Sequence, residues 1–124
     1  MKKKNKKDEN FLLRIPLRKE GLAWSADENG TVTLEIENRG FMNKLAQKLF
    51  RKPKISYIHL DEMGSFIWPL LDGEKSIIDL GVLVEEHFGE NAHPLYERLA
   101  KYFMILDSYG FVKWINDEFK ENFF

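Results

Sequence analysis

The chain predicts an α+β fold, in which an N-terminal antiparallel hairpin and a third strand are followed by three short helices. Three observations carry this. An Asn-Gly pair separates two stretches of alternating polarity, Leu22 to Ser25 and Thr31 to Glu37. A proline-free run rich in β-formers, Lys54 to Leu60, comes next. From Asp61 onward, residues suited to helix caps precede apolar residues at helical spacing. A length of 124 residues fits one domain.

The elements follow in order. Residues 1–10 are polar and patternless, a disordered basic tail. Leu22 and Trp24 alternate with Ala23 and Ser25, and Val32, Leu34 and Ile36 alternate with Thr33, Glu35 and Glu37. Asn29-Gly30 between them signals a tight hairpin turn with positive φ at both central residues. Leu22, Trp24, Val32, Leu34 and Ile36 then face inward. Phe41 to Phe50 switches to helical spacing, with Phe41, Leu45 and Leu49 on one face and basic residues around it, and Pro53 ends the pattern. In the third strand Ile55 and Tyr57 point one way and Ile58 and Leu60 the other, so both faces need cover.

Asp61 caps the first helix, whose inner side carries Met63, Phe66, Ile67, Leu70 and Leu71, with a bend at Pro69 and an end before Gly73. Ser76 and Asp79 have capping-box spacing and open a second helix through Ile77, Leu80, Val84 and Phe88, closed by Gly89. A third helix starts near Asn91 or His93 and runs to about Ser108, after which Phe111 to Ile115 is extended. Three strands before three helices is the order of a winged-helix-like variant with its hairpin placed first. The expected organisation is a tail at 1–10, one domain at 11–116 and a C-terminal extension at 117–124.

Composition excludes several classes. Apolar residues make up 44% and charged residues 31%, enough for both a core and a solvated surface, so disorder throughout is excluded. The longest uncharged apolar run, Met63 to Leu71, is too short to span a bilayer. The chain has no cysteine, which removes disulfides, thiolate metal sites and a thiol nucleophile, and it starts with no secretory signal. A cytoplasmic location is expected. Net charge is −1 but divided: residues 1–54 carry 14 basic and 7 acidic side chains, and residues 55–124 carry 5 and 13.

Catalytic chemistry finds no footing. The histidines His59, His87 and His93 form no nucleophile motif with any serine or aspartate, and Gly89 interrupts any helical face shared by the last two. Each reads as a surface or satisfied polar residue. The eight glycines are scattered at turns and reproduce no phosphate loop. The expectation is no enzyme activity, no metal and no cofactor.

Two binding readings remain. A winged-helix DNA-binding regulator needs a basic recognition helix, yet residues 92–108 carry Arg98 and Lys101 against Glu97 and Asp107, and specific nucleic-acid binding is not expected. This is the alternative reading. The other is peptide capture at a sheet edge. If one side of Lys54 to Leu60 is unpaired, its N–H and C=O groups can accept an extended peptide as a further strand; an ordinary central or protected edge strand leaves no such room. On the third helix Leu95, Leu99, Tyr102, Phe103 and Leu106 form the core stripe, with Ile105 and Arg98 flanking Tyr102. Exposure of Ile105 and the edge of Tyr102 makes an apolar wall beside such an edge, with Arg98 or Lys101 facing an acidic peptide.

The stretch Leu60-Asp61-Glu62-Met63-Gly64-Ser65-Phe66-Ile67-Trp68-Pro69-Leu70-Leu71-Asp72-Gly73, then Ser76 to Leu80, then Leu99 and Phe103 to Leu106 with Tyr109-Gly110-Phe111-Val112, resembles the PqqD-like family of precursor peptide recognition elements. The resemblance spans about residues 20 to 115. It implies a non-catalytic winged-helix-like domain that binds the leader of a ribosomally made peptide. It also implies presentation of that peptide to a modifying enzyme, often a radical S-adenosylmethionine protein. It places the leader between the third strand and the third helix. The candidate peptide-binding residues are therefore Lys54, Ile55, Ser56, Tyr57, Ile58 and His59 on the strand, with Arg98, Lys101, Tyr102 and Ile105 on the helix. Phe66, Trp68, Leu99, Phe103 and Leu106 are expected to be scaffold. The basic amphipathic insertion at 41–52 and the C-terminal Phe119, Phe123 and Phe124 depart from the family pattern. Either could cover the groove, dock an enzyme, or accompany a change from monomer to a homodimer that exchanges its hairpin.

Overall fold

The computed structural model describes residues 11–37 and 55–115. The basic tail, the insertion at 41–52, Lys54 and the C-terminal extension lie outside the described residues. The element order is β1 (Pro16–Arg18), β2 (Ala23–Ala26), β3 (Val32–Glu37), β4 (Ile55–His59), α1 (Glu62–Ile67), α2 (Ile77–Phe88), α3 (Leu95–Ser108) and β5 (Val112–Trp114). Short 3₁₀ turns at Trp68–Leu70 and Gly89–Ala92 follow α1 and α2. The chain is α+β, with the expected hairpin, third strand and three helices in the expected order. No described helix is long and apolar enough to cross a membrane.

The hairpin lies where Asn-Gly indicated, but its turn is different. Only Gly30 has positive φ, at 85°. The Asp27 carboxylate accepts the amides of Asn29 and Thr31, both at 2.9 Å, and Gly30 N–H donates to the Asp27 carbonyl at 3.0 Å. Glu28 and Asn29 therefore form a turn of right-handed backbone, and Gly30 supplies the single left-handed step that brings β3 back beside β2. A side chain outside the Asn-Gly pair selects the turn.

β2, β3 and β4 form one antiparallel sheet in that spatial order, with Trp24 opposite Leu34 and Leu34 opposite Ile58. The inward set matches the alternation: Val32 and Leu34 are fully buried, while Leu22, Trp24, Ile36 and Ile58 pack against the core from its margin. A second, two-stranded sheet pairs β1 with β5, Pro16 opposite Trp114, and the 71–73 segment bonds to the other edge of β1 through Arg18 N–H to Leu71 C=O and Gly73 N–H to Pro16 C=O. β1 was not expected from the sequence.

Helix ends follow their capping chemistry. Asp61 accepts the Gly64 amide at 2.7 Å and caps α1, and Pro69 turns the chain into the 3₁₀ segment after Ile67. Ser76 and Asp79 exchange both capping bonds at the start of α2, so aspartate serves where glutamate is usual. α3 begins later than expected, at Leu95, with Pro94 preceding it as cap. The helices bury Met63 and Ile67, Ile77, Leu80 and Val84, and Leu95, Leu99, Phe103 and Leu106 around Trp68. Trp68, Leu99, Phe103 and Leu106 are core as expected. Phe66 sits at the margin, stacked on His87 with ring centroids 4.4 Å apart.

Candidate functional site

The site begins with the parity of β4. Leu60 N–H donates to the Val32 carbonyl at 2.8 Å, and Ile58 and Ser56 stand opposite Leu34 and Ile36. In an antiparallel ladder alternate residues offer both backbone groups to the same edge. Ser56, Ile58 and Leu60 therefore turn theirs to β3, while Ile55, Tyr57 and His59 turn theirs to the opposite edge. Among the described residues no strand lies along that edge. The side chains divide by the same rule. Ile58 and Leu60 pack toward the core, whereas Ile55 and Tyr57, 42% and 58% exposed, occupy the other face. There Thr33 Oγ1 and His59 Nδ1 meet at 2.7 Å. The expectation that both faces of β4 need cover is met on one side only, among the described residues.

At the C-terminal end of β4, α1 and α3 enclose a groove of about 320 Å³. Its lining contains Arg98, Lys101, Tyr102 and Ile105 from α3, together with Asp61, Met63 and Gly64 from the start of α1. Close approach of the two helices rests on glycine. A Cβ at Gly64 would lie 2.9 Å from Tyr102 Cε1 and 3.0 Å from Asp61 Oδ1. The Tyr102 hydroxyl donates to the Gly64 carbonyl at 3.0 Å. Burial, with a smaller contribution from the Asp61 carboxylate, pushes the Tyr102 pKa well above its ordinary value. Arg98 Nη1 donates to the Asn91 carbonyl at 2.6 Å, which fixes its guanidinium near the helix start. Ile105 is 46% exposed and Lys101 is exposed.

A second groove, of about 330 Å³, lies at the opposite end of the strand. Ile55, Tyr109 and Phe111 line it together with Glu20, Glu35 and Glu37. Tyr109 stacks on Phe111, with centroids 5.4 Å apart, and is 66% exposed. Ile55 at the start of β4 thus shares one groove with Tyr109 just past α3, and Asp61, two residues beyond β4, shares the other with the middle of α3. Ile105 and Tyr109, one turn apart, mark its flank from one groove to the other.

The structure brings all four helix candidates, Arg98, Lys101, Tyr102 and Ile105, to one groove, and places Ile55 at the other. Tyr57 and His59 offer backbone to the intervening edge. Ser56 and Ile58 instead turn backbone toward β3, and Lys54 is outside the described residues. Tyr102 has a structural task as well, since its hydroxyl ties α3 to α1. Sequence reasoning missed Asp61, Met63 and Gly64 as lining residues and the whole second groove. A glycine inside a helix was the available signal, because it costs about 1 kcal/mol against alanine unless something needs the space.

The histidines have other partners. His59 meets Thr33, His87 stacks on Phe66, and His93 Nε2 lies 2.9 Å from Glu85 Oε1. Among the described residues no group of three His, Asp or Glu side chains is placed to hold a metal ion. A larger hollow of about 630 Å³ near the hairpin tip, beside Phe66 and His87, contains none of the candidate residues.

Neither the curated proteins nor the solved structures contain a match to the chain. The model of one family, described as Coenzyme PQQ synthesis protein D (PqqD), matches residues 31–112, from the start of β3 to the start of β5, and includes β4, α1, α2 and α3. On that match, which takes in the open strand edge and the groove beside α3, the chain belongs to the PqqD family.

Proposed function

We propose that this chain is a non-catalytic adaptor that binds the leader of a ribosomally synthesised precursor peptide as an extra strand on β4 and presents it to a modifying enzyme. The enzyme is of the radical S-adenosylmethionine class, and the encounter takes place in the cytoplasm. Membership of the PqqD family supports a precursor peptide and a modifying enzyme as partners. The observation that carries the reading is the meeting of two features. Ile55, Tyr57 and His59 turn their backbone toward an edge that no described strand occupies, and a groove containing Ile105, Tyr102, Arg98 and Lys101 opens at one end of that edge. Backbone pairing gives affinity and the groove gives selectivity.

The regulator alternative gains no support, because on α3 Arg98 and Lys101 are offset by Glu97 and Asp107, which leaves no basic face to neutralise a row of phosphates. The test is titration of the full chain with synthetic peptides from short reading frames adjoining its gene. One of them should bind and slow amide exchange at Ile55, Tyr57 and His59. Ile105→Asp should weaken that binding at least tenfold while circular dichroism and melting stay near wild type. Unchanged affinity in folded Ile105→Asp and in folded Arg98→Glu would remove the groove from the site.

A further inference from the structure

α1 is the shared wall of two hollows. On one flank Asp61, Met63 and Gly64 line the groove that contains Tyr102 and Ile105. On another flank Glu62, Ser65, Phe66 and Pro69, at three- and four-residue spacing, line the hollow of about 630 Å³. Its other walls are the hairpin turn, Asn29 to Thr31, and the end of α2, His87 and Phe88. The two hollows share no lining residue. A body in the larger one and a peptide in the groove are held about 10 to 12 Å apart, one helix diameter, without competing for space.

The larger hollow pairs aromatic rings with a carboxylate. Phe66 stacks on His87 with centroids 4.4 Å apart and meets Phe88 edge-on at 5.5 Å. Glu62 is exposed and, among the described residues, has neither a hydrogen bond nor an ion pair. Among the described residues no lysine or arginine lines the hollow. Arg18 reaches the Pro69 carbonyl, but it is held there by two carbonyls and the Trp24 ring. The basic residues of the 38–54 segment enter the sheet at Glu37 and Ile55, and β3 carries Glu37 about 17 Å from Val32 at the turn. Rings beside an unpaired carboxylate suit a lysine or arginine, whose stem or guanidinium plane the rings cover while the carboxylate meets the charge.

We infer that this hollow is the docking surface for the modifying enzyme, and that the enzyme inserts into it a lysine or arginine flanked by an apolar residue. The inference rests on the adaptor reading and names the surface for its second partner. An adaptor that presents a peptide holds both partners at once, on surfaces that adjoin without overlapping. The two flanks of α1 stand in that relation, and an enzyme seated on the far flank leaves the β4 edge to the leader.

The experiment measures two affinities of the full chain at low and high salt. One is for a synthetic leader from a reading frame adjoining its gene. The other is for the purified radical S-adenosylmethionine enzyme encoded beside that gene. The variants are Glu62→Lys, Glu62→Gln and His87→Ala; both residues are exposed, so no change enters the core. Glu62→Lys should weaken enzyme binding about tenfold at low salt and less at high salt, Glu62→Gln and His87→Ala should weaken it by smaller factors, and all three should bind the leader as wild type does. Amide exchange at Asn29, Gly30 and Thr31 should slow with the enzyme and not with the leader. If the leader binds while the enzyme does not, or while folded Glu62→Lys and His87→Ala bind the enzyme with wild-type affinity, or while those three amides stay unprotected by it, the inference is overturned and strand addition stands. An equal loss at low and high salt would overturn the basic character of the inserted residue. Failure of every such leader to bind the wild type would overturn strand addition and the inference with it.

Discussion

The Tyr102 hydroxyl donates to the carbonyl of Gly64 at 3.0 Å, joining the middle of α3 to the first turn of α1 across the floor of the groove. Tyr102 is therefore both wall and tie. Tyr102→Phe keeps the ring and deletes the bond, and should cost about 1 kcal/mol in urea unfolding. Its pH signature separates the hydroxyl from the ring. Burial raises the Tyr102 pKa above its ordinary 10.0, so the neutral form is favoured in the folded state. The associated stability is fully present below pH 10 and is lost as pH rises beyond it. The wild type should weaken above pH 10 more steeply than Tyr102→Phe. Parallel alkaline profiles would show that the hydroxyl is not buried in solution.

Gly64→Ala tests the same junction from the other side. Alanine is the better helix former by about 1 kcal/mol. Its Cβ, however, would fall 2.9 Å from the Tyr102 ring and 3.0 Å from the capping oxygen of Asp61, and overpacking of this kind typically costs about 1 to 3 kcal/mol. A net loss of up to about 2 kcal/mol is expected by chemical denaturation. A gain would mean that the groove floor has room the structure does not give it.

Ser65 holds the two strands of the site in register from below. Its buried hydroxyl accepts the Val32 amide at 2.9 Å and donates to the Leu60 carbonyl at 3.1 Å, at the start of β3 and just past the end of β4. Ser65→Ala leaves the Val32 N–H buried without a partner, a penalty of about 1 to 3 kcal/mol. Faster amide exchange at Val32 and Leu60 should accompany the loss of stability. Valine at this position should be worse than alanine, because it adds bulk at a site that is 6% exposed.

What the sequence showed and what it hid divide along contact range. Capping bonds at Asp61 and Ser76 close within three residues, and the hairpin is local, so each left a pattern in the sequence. β1 did not. It is three residues long, begins with proline, and gains its partners from Trp114 and Leu71 far along the chain. The groove divides in the same way. Ile105, Arg98 and Lys101 share a flank of one helix and were visible on its wheel. Asp61, Gly64 and Ile55 reach the grooves only through the packing of α1 and β4 beside α3. The turn at Asp27 was misread for another reason, since its carboxylate outcompetes the tight Asn-Gly geometry by capping two amides at once.

The 3₁₀ segment after α1 depends on one arginine. Arg18 Nη1 donates to the Trp68 carbonyl at 3.2 Å and to the Pro69 carbonyl at 2.9 Å, and its guanidinium lies 5.5 Å from the Trp24 ring centroid. Arg18→Ala should destabilise by about 1 to 2 kcal/mol and change the tryptophan emission. Arg18→Lys should recover only part of this, because an ammonium lacks the planar group that bonds two carbonyls while stacking on the indole. Full recovery by lysine would assign the effect to charge alone.

Strand addition makes a sharper demand on backbone than on side chains. Proline removes one N–H, and edge strands tolerate it where that N–H faces away from the ladder. Tyr57 is such a position, because the bond from Leu60 to Val32 and the pairing of Ser56 with Ile36 assign its N–H to the outer edge. Tyr57→Pro should melt within a few degrees of wild type and yet lose peptide binding at least tenfold. Tyr57→Ala, which keeps the N–H, should lose much less. Ile58→Pro, one residue on, removes a bond to β3 and should unfold the sheet edge, which checks the parity itself. A folded Tyr57→Pro variant that binds the leader with wild-type affinity would mean that the peptide does not pair with β4.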